Sequence, residues 1–267
     1  MIDLHTHIFF DDVKRDRENF FNDANFNMLY NSDKAKIFSI EDISSYKDEY
    51  EISKILCFGF AWNEEKYNNL QKEYLKKQMH LKEKGFYFSS CVVKGDVFSQ
   101  IKKCKEDGFS AIGELAFYDG DVDFSFLDEV FSCAAQFKMP VFLHVNDPVG
   151  HNYTGKYLTN FTELYNVIKN NPDTVIVLCH LGGGLFIYEN MKEVKDAFKN
   201  VYYDIAALPF LYDEKIVGIA NEVCKNKILF GTDFPLLNIS RYQKQIKVEE
   251  FNVLQENSLN FCNTFLK

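Results

Sequence analysis

The sequence predicts a (β/α)8 TIM barrel, and three observations support this fold. Eight short apolar segments rich in β-branched and aromatic residues recur along the chain, and helical patterns separate most of them. This alternation implies parallel strands joined by helical crossovers, and eight repeats imply closure into a barrel. The length of 267 residues is typical of one barrel domain, so we expect a single domain over residues 1–267.

The predicted elements follow one another in a regular order. Strands are expected at 1–5, 54–61, 87–93, 109–116, 140–145, 174–180, 201–206 and 227–232. Helices are expected at 64–84, 97–107, 124–138, 158–170, 185–199, 212–225 and 248–266. The competing architecture, a doubly wound open sheet, would carry a glycine-rich turn after its first strand. The sequence has His5-Thr6-His7 at that place, which favours the barrel.

The connection between the first two strands is too long for an ordinary βα loop. Residues 9–53 contain helix-like stretches and several aromatic side chains, among them Phe20, Phe26 and Tyr30. We interpret this segment as an insertion that folds over the mouth of the barrel.

Charge and composition argue against several classes of partner. The formal net charge is −9, the pI is near 5.2, and no run of lysine and arginine stands free of acidic residues. Nucleic acid and anionic membranes are therefore not expected as partners. No apolar stretch approaches the roughly 20 residues that cross a bilayer. The seven cysteines are dispersed and include no CxxC pair, which predicts reduced thiols and a cytoplasmic protein.

Six side chains of metal-ligand type stand where predicted strands end. His5 and His7 are spaced i, i+2, so both rings lie on one face of the first strand and can reach the same ion. The other four are Glu114, His144, His180 and Asp233, at the ends of strands four, five, six and eight. Strand ends converge at one face of a barrel, so we expect these residues to form a divalent metal site. Asp3 would share the strand face of His5, either as an acceptor that orients a ligand or as a residue of the barrel bottom.

Five separated motifs resemble those of the amidohydrolase superfamily. They are His5-Thr6-His7, Gly113-Glu114-Leu115, Leu143-His144, Cys179-His180-Leu181-Gly182-Gly183 and Leu229-Phe230-Gly231-Thr232-Asp233-Phe234-Pro235. The chain most resembles the amidohydrolase-2 branch, which includes aminocarboxymuconate-semialdehyde decarboxylase. This resemblance covers essentially the whole chain and concerns the fold and the metal site, not the substrate.

The resemblance also implies roles for the residues of these motifs. It implies four ligands of a divalent metal, with zinc expected: His5, His7, His144 and Asp233. His180 would lie beside the metal, either as a ligand or as a proton-transfer group. Glu114 departs from the usual pattern and resembles the bridging ligand of two-metal relatives such as the TatD-type hydrolases. One ion and two ions therefore remain as alternatives.

These expectations converge on a metal-dependent hydrolase. A divalent ion with an open coordination position lowers the pKa of bound water to about 7. Asp233 would take the proton of that water and deliver it to the leaving group, while His180 would help to polarise the substrate oxygen. We expect a small polar, anionic substrate with a C–N or C–O bond next to a carbonyl. A non-oxidative decarboxylase of the same superfamily and a catalytically silent metal-binding barrel are the two alternatives.

Six further side chains are predicted to contact the substrate. They are His151, Tyr153 and Lys156 in the loop after strand five, Trp62 after strand two, Lys94 after strand three and Arg241 after strand eight. The loop follows His144 directly, so it starts beside the metal, and loops at this face of a barrel usually set specificity. The plainer alternatives are a loop that faces water, a tryptophan that packs in the core, and cations that are merely solvated.

Two more features allow two interpretations each. Asp204, which ends strand seven, either orients a metal ligand or caps the segment that follows. The N–H groups of Gly182-Gly183-Gly184 either bind an anion, or the glycines give the chain room to turn. A small molecule is the expected partner, and a homo-oligomer is compatible with the sequence.

Overall fold

Eight parallel strands form one sheet that curls into a barrel. The computed structural model describes residues 1–118 and 120–266, and its strands are hydrogen-bonded in chain order. The strands are β1 (Ile2–His7), β2 (Lys54–Phe58), β3 (Phe86–Ser90), β4 (Ala111–Leu115), β5 (Val141–Leu143), β6 (Ile176–Leu178), β7 (Val201–Asp204) and β8 (Ile228–Leu229). The TIM barrel predicted from the sequence is confirmed.

Hydrogen bonds between β1 and the segment that contains β8 close the barrel. Leu4 N donates to the carbonyl of Phe230 at 2.9 Å, and Asp233 N donates to that of His5 at 2.8 Å. Gly231 permits this approach, because a Cβ at that position would lie 2.5 Å from the Cβ of His5. Closure therefore places Asp233 beside the first histidine of β1.

Helices lie between the strands, as the alternation predicted. They are α1 (Asp11–Arg15), α2 (Ala24–Tyr30), α3 (Ile40–Glu49), α4 (Glu65–Lys77), α5 (Val97–Glu106), α6 (Phe124–Phe137), α7 (Phe161–Asn170), α8 (Lys192–Ala197), α9 (Leu208–Leu211), α10 (Ile216–Val223), α11 (Ile239–Gln243) and α12 (Val248–Phe265). Short 3₁₀ segments occur at Arg17–Phe20, Met79–Lys84 and His180–Asn190. No helix among the described residues is long and apolar enough to cross a membrane.

Two kinds of boundary differ from the prediction. Most strands end earlier than expected, because buried apolar residues such as Val145 and Ile205 continue into the loops after the ladder has stopped. The helix expected at 185–199 is reduced to α8 because the preceding residues turn with positive φ at Gly182, Gly183 and Gly184. A Cβ on Gly183 would lie 2.3 Å from the carbonyl oxygen of Asn146. This close contact supports the interpretation that the glycines give the chain room to turn.

Strand β1 contains a bulge that changes the expected role of Asp3. Asp3 pairs with Ile55 and Thr6 with Cys57, so two residues, Leu4 and His5, oppose a single residue of β2. The alternation of faces is broken there, and Asp3 does not share the face of the two histidines. Its carboxylate instead accepts hydrogen bonds from Tyr46 on α3 and from Thr232 after β8. Asp3 therefore ties the segment between β1 and β2 to the closing strand.

The segment between β1 and β2 carries its own aromatic core. Phe9, Phe10, Phe20 and Phe26 pack there with Phe60 and Trp62, which follow β2. Residues of α2 and of the loop after it border the cavity described below, as expected of an insertion over the mouth. The assignment of residues 1–267 to a single domain stays a prediction.

Candidate metal centre and active site

The carboxyl ends of the strands bring the six predicted ligand side chains into one cluster. Two lie on β1, one on β4, and the others in the segments that follow β5, β6 and β8. The six are His5, His7, Glu114, His144, His180 and Asp233. Their side chains are between 0% and 17% exposed, so the cluster is largely shielded from water.

One group of ligand atoms comes from β1 and from the residue after β8. His5 Nε2 lies 3.1 Å from His7 Nε2, which lies 3.2 Å from Asp233 Oδ1. Glu114 Oε2 lies 3.6 Å from the His5 nitrogen and 3.5 Å from the His7 nitrogen. Two imidazole nitrogens this close repel each other unless a proton or a metal ion lies between them. Ligand atoms around a tetrahedral ion with bonds of about 2.1 Å are about 3.4 Å apart, so these donors fit a metal.

A second group faces the other oxygen of Glu114. Glu114 Oε1 lies 3.0 Å from His144 Nδ1 and 3.4 Å from His180 Nε2. These two nitrogens are 3.0 Å apart. The two oxygens of one carboxylate therefore face two separate groups of histidine nitrogens. A ligand that bridges two ions needs this arrangement.

Asp204 holds two of the histidines through its two carboxylate oxygens. Oδ2 accepts a hydrogen bond from His5 Nδ1 at 2.8 Å, and Oδ1 accepts the backbone N–H groups of His180 at 2.8 Å and Ala206 at 3.1 Å. His180 Nδ1 donates to the carbonyl of Ala206 at 2.9 Å. Both imidazoles thus carry a proton on Nδ1 and present Nε2 to the cluster. The contacts match both interpretations of Asp204, since it orients an imidazole and also holds the turn after β7.

His144 is oriented by the loop that follows it. Its Nε2 lies 3.1 Å from Asn146 Oδ1, which also accepts the hydroxyl of Tyr153 at 2.7 Å. The hydroxyl of Tyr157 donates to the backbone carbonyl of His144 at 2.6 Å. Donation from Nε2 to the amide oxygen leaves Nδ1 to face Glu114.

The backbone is strained at two residues of the cluster. His180 has φ +58° and Asp233 has φ +64°, in the left-handed region that side chains other than glycine rarely adopt. Such a conformation costs on the order of 1 kcal/mol or more and persists where the surroundings enforce it. Both are residues for which the sequence predicts proton transfer, and strain of this kind is common at functional sites.

Opposite charges in the cluster outweigh the effect of burial on its pKa values. Burial raises the pKa of Asp233, but the hydrogen bond from His7 and the charges of His5 and His7 lower it to about 2. Burial lowers the pKa of His180, but the hydrogen bond and charge of Glu114 raise it to about 9. Burial also raises the pKa of Glu114, yet the charge of His5 helps to hold it well below its usual range. Without a metal ion, the cluster therefore pairs carboxylates with imidazolium groups.

A cavity of about 680 Å³ opens onto the cluster, a volume within the range typical of small-molecule sites. Five of the six cluster residues line it, and His5 lies deeper. Of the predicted substrate contacts, His151 and Tyr153 line the same cavity. Both come from the loop after β5, as expected.

The other four predicted substrate contacts do not line this cavity. Trp62 is 3% exposed and stacks on Phe26 with ring centroids 4.9 Å apart, so it belongs to the aromatic core of the insertion. Arg241 lies exposed on α11. For these two residues the structure favours the plainer alternatives, core packing and solvation.

The two lysines are engaged elsewhere. Lys94 Nζ lies 2.7 Å from Oδ2 of Asp123, and Asp123 caps the N-terminus of α6. Lys156 Nζ donates to the carbonyls of Val149 and His151, at 2.7 Å and 3.3 Å, and so braces its own loop. Neither lysine is among the residues that line the cavity.

The cavity also has lining residues that the sequence reasoning did not single out. They include Tyr30, Lys34 and Lys36 from the insertion, Phe60 after β2 and Tyr118 after β4. The sequence signal for these residues was the predicted position of the insertion over the mouth of the barrel. Strand-end patterns could not reveal these residues, because Tyr30 ends α2 and the others lie in loops.

Solved structures share this fold over nearly their whole length. The 5-carboxyvanillate decarboxylase of Sphingomonas paucimobilis is 12% identical, with a TM-score of 0.72, covering 99% of this chain and 98% of its own. The corresponding decarboxylase of Novosphingobium aromaticivorans, solved with bound manganese, is 13% identical, with a TM-score of 0.69, covering 99% and 97%. The 4-oxalomesaconate hydratase of Rhodopseudomonas palustris is 14% identical, with a TM-score of 0.58, covering 99% and 95%. At these identities the likeness concerns the fold.

Sequence comparison identifies the family. No curated protein matches the chain. The amidohydrolase family model, however, matches residues 2–253, a span that contains all six residues of the cluster. The resemblance seen in the five motifs is thereby confirmed. The chain belongs to the amidohydrolase family, whose members are metal-dependent enzymes.

Proposed function

We propose that this protein is a metal-dependent hydrolase that cleaves a C–N or C–O bond next to a carbonyl in a small anionic molecule. The observation that carries the proposal is the position of Glu114, whose two oxygens face two separate groups of histidine nitrogens. When bound there, divalent ions polarise a substrate oxygen and lower the pKa of water. This chemistry suits hydrolysis at neutral pH.

The proposed ligands divide into two sets that share Glu114. His5, His7 and Asp233 supply the first set, and His144 and His180 supply the second. Histidine nitrogens and carboxylate oxygens are the donors that zinc prefers, which supports zinc as the metal. Manganese also accepts such donors and is the ion bound in the Novosphingobium decarboxylase, so it is the main competitor.

Asp233 is the proposed proton acceptor. Its side chain is 17% exposed and lines the cavity, and its low pKa keeps it ionised at neutral pH. It would take a proton from the attacking water and pass it to the leaving atom. His180 Nδ1 is held by the Ala206 carbonyl, which leaves Nε2 for one of two roles. In a two-ion site it would bind the second ion, and in a one-ion site it would help to polarise the substrate oxygen. His151 and Tyr153, in the loop after β5, are proposed substrate contacts.

Decarboxylation is the second candidate. The full-length similarity to two decarboxylases favours it, because the same barrel supports that reaction in those proteins. In this case a protonated group of the cluster would deliver a proton to the carbon that loses carbon dioxide. In a one-ion site, where His180 is not a metal ligand, its raised pKa would make it the first choice for that group.

An isotope experiment separates the two reactions. Zinc-loaded protein would be incubated in ¹⁸O-labelled water with a panel of anionic amides, lactones, esters and aromatic acids. Hydrolysis places one solvent oxygen in the product and releases no carbon dioxide. Carbon dioxide release without solvent oxygen in the product would overturn the hydrolase proposal in favour of decarboxylation. Metal-free protein serves as the control that should be inactive in either case.

We further propose that the enzyme acts in the cytoplasm. All seven cysteines are buried free thiols, as expected for a reducing compartment. Burial also raises the pKa of several of them, for example that of Cys57 to about 12, so these thiols resist oxidation.

A further inference from the structure

The inserted segment contributes a cationic edge to the active-site cavity. Leu29 and Tyr30 at the end of α2, and Lys34, Ala35 and Lys36 in the following loop, all line the cavity. This edge lies on the same cavity as the metal cluster but comes from a different part of the chain. The loop thus places two lysine residues at the border of a space that also contains the metal cluster.

The ammonium groups at this edge have no partner among the described residues. Neither Lys34 nor Lys36 makes a side-chain ion pair or hydrogen bond within residues 1–118 and 120–266. Lys156, by contrast, donates to two backbone carbonyls of its own loop. A protein with a net charge of −9 offers many carboxylates, yet these two lysines remain available to a ligand.

Arg17 holds the loop that carries the lysines through hydrogen bonds to its backbone. Arg17 Nη1 donates to the carbonyl of Ser32 at 2.9 Å and to that of Ala35 at 3.0 Å, with a longer contact to Tyr30 O at 3.4 Å. One guanidinium therefore contacts three backbone carbonyls, two that precede Lys34 in the chain and one that follows it. This clamp reduces the entropy that the loop loses when its lysines bind a ligand.

The cavity wall combines charged residues with aromatic rings. Among its described lining residues, the carboxylates are Glu114 and Asp233, and both belong to the metal cluster. Aromatic rings fill part of the wall, including Phe60 and Tyr118, which are stacked with an interplanar angle of 10°. A ligand in the cavity thus meets metal ligands, flat aromatic surface and two free cations.

We propose that Lys34 and Lys36 form an anion-binding subsite that selects substrates with a carboxylate remote from the reacting bond, on a flat unsaturated body. This inference rests on the proposed function for the location of the reacting centre. The subsite replaces Lys156 and Arg241 as the element that recognises the charge of the substrate. Arg17 is a positioning residue, because it touches the loop and not the cavity.

Binding of simple probes tests the subsite without any turnover. Zinc-loaded protein would be titrated calorimetrically with benzoate and with phthalate, isophthalate, terephthalate and 2,6-naphthalenedicarboxylate. This series moves a second carboxylate progressively further from the first. At least one dicarboxylate should bind about tenfold more tightly than benzoate, and added salt should reduce this advantage.

Variants identify the residues responsible. Lys34→Ala/Lys36→Ala should abolish the advantage of the dicarboxylate, while benzoate affinity and zinc content stay unchanged. Arg17→Ala should reduce the same advantage partly, and circular dichroism would verify its fold. Lys156→Ala is the matched control and should retain the full advantage.

Two results would overturn the subsite: no dicarboxylate that binds better than benzoate, or an advantage that survives the double substitution. Failure of the hydrolase proposal would look different. In that case the isotope experiment would show no solvent oxygen in any product, while the probe preference and its loss in the double variant would persist.

Discussion

His5 Nδ1 donates a hydrogen bond to Asp204 Oδ2 at 2.8 Å, and both side chains are fully buried. The bond fixes the proton on Nδ1 and makes the opposite nitrogen a better electron donor toward the cluster. The other oxygen of Asp204 holds the backbone of His180. One carboxylate on β7 thus supports a histidine from each of the two proposed ligand sets.

Replacement of Asp204 should weaken metal binding. Asp204→Asn removes the negative charge, and its single amide oxygen can accept either the His5 hydrogen bond or the two backbone hydrogen bonds, but not all three. We expect metal affinity to fall about 10- to 100-fold, measured by competition with a chromogenic chelator. Asp96→Asn, at the exposed cap of α5, is the matched control and should keep native affinity. Native affinity in Asp204→Asn would show that the hydrogen bond does not support the ligand.

Removal of the β1 histidines should empty the first ligand set. The double variant His5→Ala/His7→Ala loses two of the nitrogens that lie within 4 Å of Asp233. Bound metal should fall below about half an equivalent by elemental analysis, and the circular dichroism spectrum would verify that the double variant is folded. His80→Ala, in an exposed 3₁₀ segment, should keep full metal content. Full metal content in the double variant would refute the assignment.

The metal content of native protein and of Glu114 variants distinguishes a site with one ion from a site with two. If it bridges, native protein prepared without chelator carries close to two equivalents of metal, and Glu114→Ala carries one or fewer. Glu114→Gln keeps one acceptor oxygen and replaces the other with an NH2 donor, so its metal content should lie between these values. One tightly bound equivalent in native protein would instead make Glu114 a ligand of a single ion or a support for His144.

Asp233 should matter more for turnover than for metal content. Asp233→Asn removes the proposed proton acceptor, so turnover should fall about 100-fold or more. The amide oxygen is still able to coordinate, and some metal should remain bound. Steady-state kinetics at matched zinc content provides the test. Turnover close to that of the native enzyme would exclude Asp233 as the base and direct attention to His180.

Metal binding should release protons at neutral pH. In the metal-free protein Glu114 raises the pKa of His180 to about 9 against the effect of burial, so His180 is protonated at pH 7. A histidine must be neutral to bind a metal, hence each binding event expels its proton. Affinity should therefore rise as the pH increases from about 7 toward 9. Calorimetry in buffers of different ionisation enthalpy measures the release, and a buffer-independent enthalpy would contradict it.

The strand ends were predictable from the sequence, whereas most of the cavity wall was not. His144 and His180 could be placed because a polar residue that terminates a buried apolar run has a fixed position in a barrel. Lys34 and Lys36 lie in a loop without periodicity, and only the packing of the insertion and the clamp by Arg17 bring them to the cavity.

Trp62 and Asp3 show two further limits of pattern reasoning. The sequence gives no indication that Trp62 meets Phe26 in a separate aromatic core instead of reaching the cavity. Strict alternation along β1 would place Asp3 beside His5, but a bulge that appears only on pairing with β2 turns it toward Tyr46. Both outcomes depend on contacts between distant parts of the chain.

The insertion and the strand ends are proposed to serve different functions. The atoms proposed to bind metal and move protons come from the ends of five strands, whereas the lysines proposed to recognise the substrate come from the segment between β1 and β2. That segment packs through an aromatic core formed with residues that follow β2, and its loop carries none of the six cluster residues. Exchange of residues 31–36 alone is therefore a route to a new substrate preference with the same reaction chemistry, which makes this loop the natural target for redesign.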